Sequence, residues 1–432
     1  MSSEAKGQAS ATNVVRVVSG NFLEMYDFMV YGFYASSIAK AMFPSDNEFI
    51  SLMLSLATFG MGFLARPLGA IVLGSYMDRH GRRAGLILTL SLMSIGVLMI
   101  ALTPTYASIG VLAPVLVIVG RLLQGFSAGA ESGGVSVYLS EVAPPGRRGF
   151  YVSWQSASQQ VSVLLAAVLG VALRFTLTNE QMDAWGWRIP FLLGCSIVPV
   201  LFWIRRSVTE SHVFKAQKPQ SVREIFRSLA LNWRIILWST MLVSLTSIMF
   251  YLITAYTPTF GRAELGLKSI DTFYVTTCVA LTTFVMIPVM AALSDRIGRK
   301  PLLVGASLTI AIVAWPAMTW LVAAPSFMSL LLVEVGFAFL YASYQAALVV
   351  TLTEIIPANV RGTGFSLAYS LSQAVFGGFT PAICTMLIHT TSNKAMPGAW
   401  LVMGALFALL ATLVIVRADK QPTGETSAPA VS

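Results

Sequence analysis

Six ionisable side chains fall inside long apolar runs of this chain: Glu24, Asp27, Arg66, Arg121, Glu131 and Glu334. Such groups are expensive at membrane depth and mark function by default. A guanidinium presents forked donors that match a carboxylate. Arg121 first, and Arg66 second, are therefore the candidate partners of an anionic ligand. A carboxylate out of water favours its neutral form, and one facing a cation favours its charged form. Glu24, Asp27 and Glu131 can on that basis bind and release a proton as their neighbours change. The amides Asn21, Gln124, Gln155 and Gln159 can donate and accept, so they suit the orientation of a ligand. Asn21, Glu24, Phe28 and Tyr31 lie on one helical stripe with Asp27 beside it, and Arg121, Gln124, Ala128 and Glu131 form another.

Each residue also has a plainer reading. Arg121 with Glu131 or Glu24 could be a fixed ion pair between helices. Arg66 precedes Pro67 and could serve helix bending or pair with Asp27. Glu131 could join a loop network around Asp78 and Arg82, and Glu334, nearer the outer end of its helix, could be hydrated. At least one of Gln155, Gln159 and Gln160 is expected to pack structurally. Tyr251, Tyr256, Tyr341, Tyr344 and Tyr369 could gate or line a pore, although tyrosine is common in such helices.

The elements that must position these groups follow from composition. The chain has 432 residues, 56% hydrophobic and 11% charged, with a mean hydropathy of +0.74. A soluble globular protein carries about a quarter of its residues charged, so this is a polytopic membrane protein. The net charge of +9 is not gathered on one face, which excludes a nucleic-acid-binding chain. Three cysteines and three scattered histidines form neither a disulfide framework nor a metal site. A helix crossing about 30 Å of hydrocarbon needs roughly 20 mostly apolar residues. Twelve runs qualify, near 14–42, 50–77, 84–104, 110–140, 150–174, 188–205, 234–260, 271–294, 301–323, 327–354, 362–389 and 397–416; we call them spans 1 to 12. At about 1.5 Å per residue, Glu24, Asp27, Arg66 and Arg121 all fall near the midplane. Gly125, Gly129 and Gly133 recur every fourth residue and would let span 4 approach another helix closely.

With a cytoplasmic N-terminus, the inner segments carry twenty Lys and Arg and the outer ones six. The positive-inside rule then puts both termini in the cytoplasm. No cleavable signal peptide is visible, and the tail after Lys420 reads as disordered. The expected organisation is a tail over 1–13, a six-helix bundle over 14–204, a cytoplasmic linker over 205–233, a second bundle over 234–416 and a tail over 417–432.

Two phrases occur twice. Gly74 through Asp78, Arg79, Gly81, Arg82 and Arg83 is echoed by Ala291 through Asp295, Arg296, Gly298, Arg299 and Lys300. Glu141, Pro144, Arg148 and Gly149 stand near a second match, Glu354, Pro357, Arg361 and Gly362. Both pairs fall on the same side, so the two bundles are parallel repeats about an axis along the membrane normal. The duplicated Asp-Arg-x-Gly-Arg loops, with Arg121-Leu-Leu-Gln124-Gly125 in span 4, resemble the major facilitator superfamily over about 14–416. The departure is Ala291 where the first copy has Gly74. Gly20-Asn21 through Glu24, Tyr26, Asp27 and Phe28, with Arg66-Pro67-Leu-Gly69 and Gln124 through Glu131, look like its metabolite:proton symporter family. Val137 to Glu141, Trp154 to Gln160 and Trp185 to Phe191 most resemble citrate and tricarballylate transporters.

The resemblance implies an all-α polytopic membrane protein of twelve transmembrane helices in two six-helix pseudo-symmetric bundles, the major facilitator fold. It implies a proton-coupled symporter that imports a tricarboxylate, citrate or tricarballylate, across a bacterial inner membrane by alternating access. It implies no enzyme activity, no cofactor beyond the co-transported proton, no metal and no nucleic acid; the partners are a small carboxylate and the lipid bilayer, and one chain suffices. Substrate would meet Arg121, Arg66, Asn21, Gln124, Gln155, Gln159 and Tyr31, and the proton Glu24, Asp27 or Glu131. Asp78, Arg82, Asp295, Arg299, Glu141, Arg148, Glu354 and Arg361 would form charge latches that close the inner side while the outer side is open. The alternative is a symporter for a dicarboxylate or for a compatible solute such as betaine or proline. A drug antiporter is disfavoured because Ser156 to Val171 lacks proline, and a receptor or enzyme because no phosphate loop or nucleophile elbow is present.

Overall fold

In a lipid core every backbone N–H and C=O must be bonded within the segment, so long apolar runs become helices. A computed structural model describes residue 18 and residues 21–80, 82–129, 132–206, 227, 230–357 and 361–418, nearly all of them helical. Eight of the described helices are long and apolar enough to cross a membrane; they are spans 2, 5 and 7 to 12. Spans 3, 4 and 6 contain the shorter apolar helices Ile87–Leu102, Leu112–Ala128 and Arg188–Val200, and span 1 is the pair Asn21–Phe33 and Ala35–Met42. Large apolar side chains such as Leu68, Leu102, Ile312 and Leu332 point outward, as a lipid-facing surface requires. Most of the linker and both tails lie outside the described residues, as do Glu131 and the side chains of Asn21, Asp78 and Arg82.

Within the first half, span 4 packs on spans 2 and 3, and span 5 on span 1; within the second, span 12 packs on spans 7 and 9, and span 10 on spans 8 and 9. The halves meet along two seams, span 5 against spans 8 and 10 and span 11 against span 2. Adding six to a span number turns the first seam (5 with 8) into the second (11 with 2). That exchange is the pseudo-two-fold expected from the duplicated loops.

Several interruptions aim side chains inward. Span 1 breaks at Tyr34, between its two helices. Span 2 breaks at Ala65 just before Arg66 and Pro67, where proline withdraws a donor from the ladder. Spans 7 and 11 each contain a π-helical turn, Leu252–Tyr256 and Gln373–Gly377. Such turns carry one extra residue per turn and gather at functional places.

Glycine brings spans 2 and 4 together. A methyl group at Gly125 would overlap the Gly62 carbonyl oxygen, and one at Gly129 would overlap the Arg66 carbonyl oxygen. Two turns of the expected stripe thus let span 4 seat against the backbone that presents Arg66. Gly125→Ala should force the helices apart and cost about 1–3 kcal/mol, the range for overpacking. Thermal unfolding of the purified variant would read this as a lower Tm, and an unchanged Tm would show that the close approach is not needed.

Candidate substrate and proton site

The four midplane charges come together in the first half as two pairs. Arg66 Nη2 donates to Glu24 Oε1 at 2.9 Å, with both side chains almost wholly buried. Arg121 is fully buried, and its Nη1 lies 3.9 Å from Asp27 Oδ2. The two pairs differ in tightness. Among the described residues neither Asp27 oxygen accepts a hydrogen bond, whereas Arg121 spends its donors on Gln124 Oε1 at 2.8 Å and the Phe59 carbonyl at 3.2 Å. The Phe28 ring lies between the guanidiniums, 4.6 Å from that of Arg66 and 4.3 Å from that of Arg121. Phe63 also faces Arg66, and Tyr31 and Phe59 face Arg121. The aromatic faces give both cations a partner that survives when a carboxylate leaves.

A narrow cavity at the interface of the halves is lined by Met25, Arg66 and Gln159 from the first half. The second half contributes Thr246, Phe250, Tyr251, Tyr341, Tyr369 and Gln373. Its wall is therefore one cation faced by amides and tyrosine hydroxyls. This ordering differs from the sequence expectation. Arg66 reaches the cavity, while Arg121, Gln124 and Tyr31 sit one layer behind it. Tyr31 donates to the Ser55 carbonyl at 3.4 Å. Gln159 is the amide of span 5 that lines the cavity. Gln155 accepts from Ser156, and Gln160 accepts from Thr283 of span 8 at 2.9 Å.

Of the five second-half tyrosines singled out in the sequence, three line the cavity: Tyr251, Tyr341 and Tyr369. The other two are structural, since Tyr256 bonds Thr385 and Tyr344 donates to the Leu242 carbonyl. Glu334 is buried rather than hydrated, bonded to Thr257 of span 7, away from the cavity. The groups that sequence reasoning missed belong to the second half. Gln345 accepts from Thr246 and donates across the interface to Ser156 Oγ at 2.9 Å. An uncharged amide in an apolar helix carries no cost large enough to single it out in a sequence; the π-turn beside Gln373 has no composition signal either.

Contacts join the two halves at each end of the cavity. At the end that carries the duplicated loops, Asp295 of span 8 accepts from the backbone N–H groups of Gly149 and Phe150, at 2.9 and 3.0 Å, where span 5 begins. Arg299 holds Asp295 at 2.7 Å and reaches Glu354 at 3.3 Å. A carboxylate on the first N–H groups of a helix is favoured by the unsatisfied donors and the dipole there. This latch ties the halves together through three of the expected gating residues. Glu141 and Arg148 are exposed, and Arg361 donates to the Ile356 carbonyl, so these three stand outside that cluster. At the opposite end Phe273 of span 8 meets Phe33 and Tyr34 of span 1, and Phe49 stacks on His389 at 3.7 Å. Among the described residues the halves are thus in contact at both ends of the cavity.

Asp295→Ala should free the latch without touching the cavity. Losing two hydrogen bonds to a charged acceptor, each worth about 1.5 kcal/mol or more, should slow turnover about tenfold or more, with ligand affinity within about twofold. Initial rates and equilibrium binding on one preparation check this; weakened binding with normal turnover would contradict it.

Comparison with known proteins places these features in a family. The Sugar (and other) transporter model matches residues 12–219 and again 204–426, one match per half. A citrate-proton symporter of Salmonella typhi is 53% identical over 403 residues, 93% of each chain, and that of Klebsiella pneumoniae is 52% identical over 95% of this chain and 93% of its own. The alpha-ketoglutarate permease of Escherichia coli is 32% identical over 94% of each. Among solved structures, the xylose transporter of E. coli in a partially occluded inward-open form superposes with a TM-score of 0.76 at 19% identity, covering 97% of this chain and 98% of that one. The architecture is the major facilitator fold, and the chain belongs to the Sugar (and other) transporter family.

Proposed function

We propose that this protein is a proton-coupled symporter that imports citrate or a closely similar tricarboxylate by alternating access, across a bacterial inner membrane, with the latch end and both termini in the cytoplasm. The observation that carries the reading is Arg66. It lines the interface cavity already paired with Glu24, in a chain about half identical to proteins named as citrate-proton symporters. A substrate carboxylate that enters the cavity competes with Glu24 for the Arg66 fork. The arriving anion adds a negative charge to this buried cluster of two carboxylates and two guanidiniums, so it binds best together with a proton taken up there. That preference is what symport requires.

The second pair extends the coupling. Phe28 touches both guanidiniums, so displacement of Arg66 shifts the ring that Arg121 leans on. Arg121 holds Asp27 only at 3.9 Å, a separation that can open or close as a proton comes or goes. Arg66 and Glu24 thus read the substrate, and Asp27 with Arg121 holds the proton. Tyr251, Tyr341 and Tyr369 supply hydroxyls from the second half, so closing the halves around a polycarboxylate completes its shell. One chain contains every part of this cycle.

A compatible-solute reading has more distant support: proline/betaine transporters are 29% identical. Their quaternary or secondary ammonium would find aromatic faces here but would meet the Arg66 cation. A dicarboxylate is compatible with the same arginine. The experiment that separates them is uptake into liposomes of labelled citrate, tricarballylate, alpha-ketoglutarate and betaine, with and without an inward proton gradient. Gradient-driven accumulation of citrate, inhibited by tricarballylate, is expected. Accumulation of betaine and not of citrate would overturn the reading.

A further inference from the structure

A second cleft lies between the halves, at the end opposite the Asp295 latch. Arg174 at the end of span 5 and Arg262 after the π-turn of span 7 both line it, with hydroxyls from Ser36, Ser37, Thr259 and Ser269. The two guanidiniums are near enough to repel one another. One of them belongs to each half. Asp183, which also sits within electrostatic reach of both arginines, is bonded to Lys40 at 2.7 Å and Ser37 at 2.6 Å. Those contacts offset the burial of its carboxyl and hold it below the usual aspartate range.

Two donors on residues that line the cleft are left over. Arg174 gives Nη1 to Asn179, but its Nε has no partner among the described residues. The Thr259 hydroxyl, 96% buried, has none either. Like charges gathered from two domains beside unused donors are what an anion would satisfy. Directly beneath stand Phe33 and Phe273, which also line the cleft and whose edge-to-face contact closes the route towards Arg66.

We propose that this cleft is a vestibular transit site that captures a carboxylate of the incoming polycarboxylate between Arg174 and Arg262, before the Phe33–Phe273 contact opens. The proposal rests on the carboxylate-symporter reading. The site differs from the central one in its residues and its level. Charged walls in a low-dielectric cleft raise the local concentration of an opposite charge and the rate of encounter. A substrate bearing several carboxylates can engage the vestibule with one group while presenting another to the cavity.

The test is citrate uptake by the full chain and by Arg174→Gln, Arg262→Gln and Arg174→Lys, in liposomes with and without anionic lipid, at low and high ionic strength. Each glutamine variant should raise KM about three- to tenfold at low salt, leaving kcat within about twofold. The lysine variant should recover most of the loss. The difference should shrink in about 1 M salt, where the screening length falls to about 3 Å. Unchanged KM in both glutamine variants, with a parent chain that imports citrate, would overturn the site and leave the transport reading standing. A fall in kcat at constant KM would make the arginines parts of the gate and overturn it likewise. An effect confined to liposomes with anionic lipid would assign the cleft to a lipid headgroup. A parent chain that imports no carboxylate would remove the proposal together with the reading beneath it.

Discussion

Arg66→Gln should lower kcat/KM for citrate by about a hundredfold or more, close to the loss of about 2.7 kcal/mol expected when a charge-assisted contact to a carboxylate is removed. Arg66 is the cation that the structure brings to the interface cavity, and glutamine keeps some donor capacity while losing the charge and the fork. The variant alone would remove the hydrogen bond that the Glu24 carboxylate accepts from Arg66 at 2.9 Å, and breaking a buried ion pair can cost a further 3–5 kcal/mol of stability. The double variant Arg66→Gln with Glu24→Gln removes that complication. It should fold as well as the parent and still fail to take up citrate. Arg66→Lys should fall between, because an ammonium keeps the charge but loses the planar stack against Phe28 and Phe63. Near-normal uptake by a well-folded Arg66→Gln protein would remove Arg66 from the substrate path.

The architecture was readable because hydrocarbon is an unforgiving solvent. A run such as 327–354 stays apolar over twenty residues, and the structure has one helix there, Phe327–Ile355. The duplicated Asp-Arg-x-Gly-Arg loops announced the repeat, and the Asp295 latch across the halves is its physical use. The site was readable only by cost. Buried charges are rare enough to be noticed, so Glu24, Asp27, Arg66 and Arg121 were all visible, and counting residues from the span ends put them at one depth. What that depth could not rank was distance from the interface of the halves. Arg121 and Arg66 sit at similar heights in neighbouring helices, and which of them faces the second half depends on helix rotation about the Gly125 contact. The neutral groups Gln373 and Thr246 of the wall, and Gln345 bonded to Thr246, were invisible for the opposite reason: amides and hydroxyls are cheap enough in a helix to occur without a function.

Asp27→Asn should separate exchange from accumulation. Asparagine keeps the size of the aspartate but can neither bind nor release a proton near neutral pH. The substrate groups at Arg66 are untouched, so labelled citrate inside liposomes should still exchange with unlabelled citrate outside at a rate within a fewfold of the parent. Net uptake driven by a proton gradient should vanish. Each coupled proton contributes about 1.4 kcal/mol per pH unit, a tenfold accumulation, so the parent's accumulation ratio should climb with the gradient while that of the variant stays flat. The choice of Asp27 follows from bonding: it is 1% exposed, accepts no hydrogen bond among the described residues, and meets its cation only at 3.9 Å. Glu24 competes with the substrate carboxylate for the cavity arginine, so Glu24→Gln should tighten citrate binding rather than leave it unchanged. The two variants therefore differ in KM, not only in drive. If Asp27→Asn and Glu24→Gln both still accumulate citrate against its gradient, neither carboxylate carries the proton, and the coupling group must be sought elsewhere in the chain. Glu334, bonded to Thr257 in the second half, is the next buried carboxylate to test.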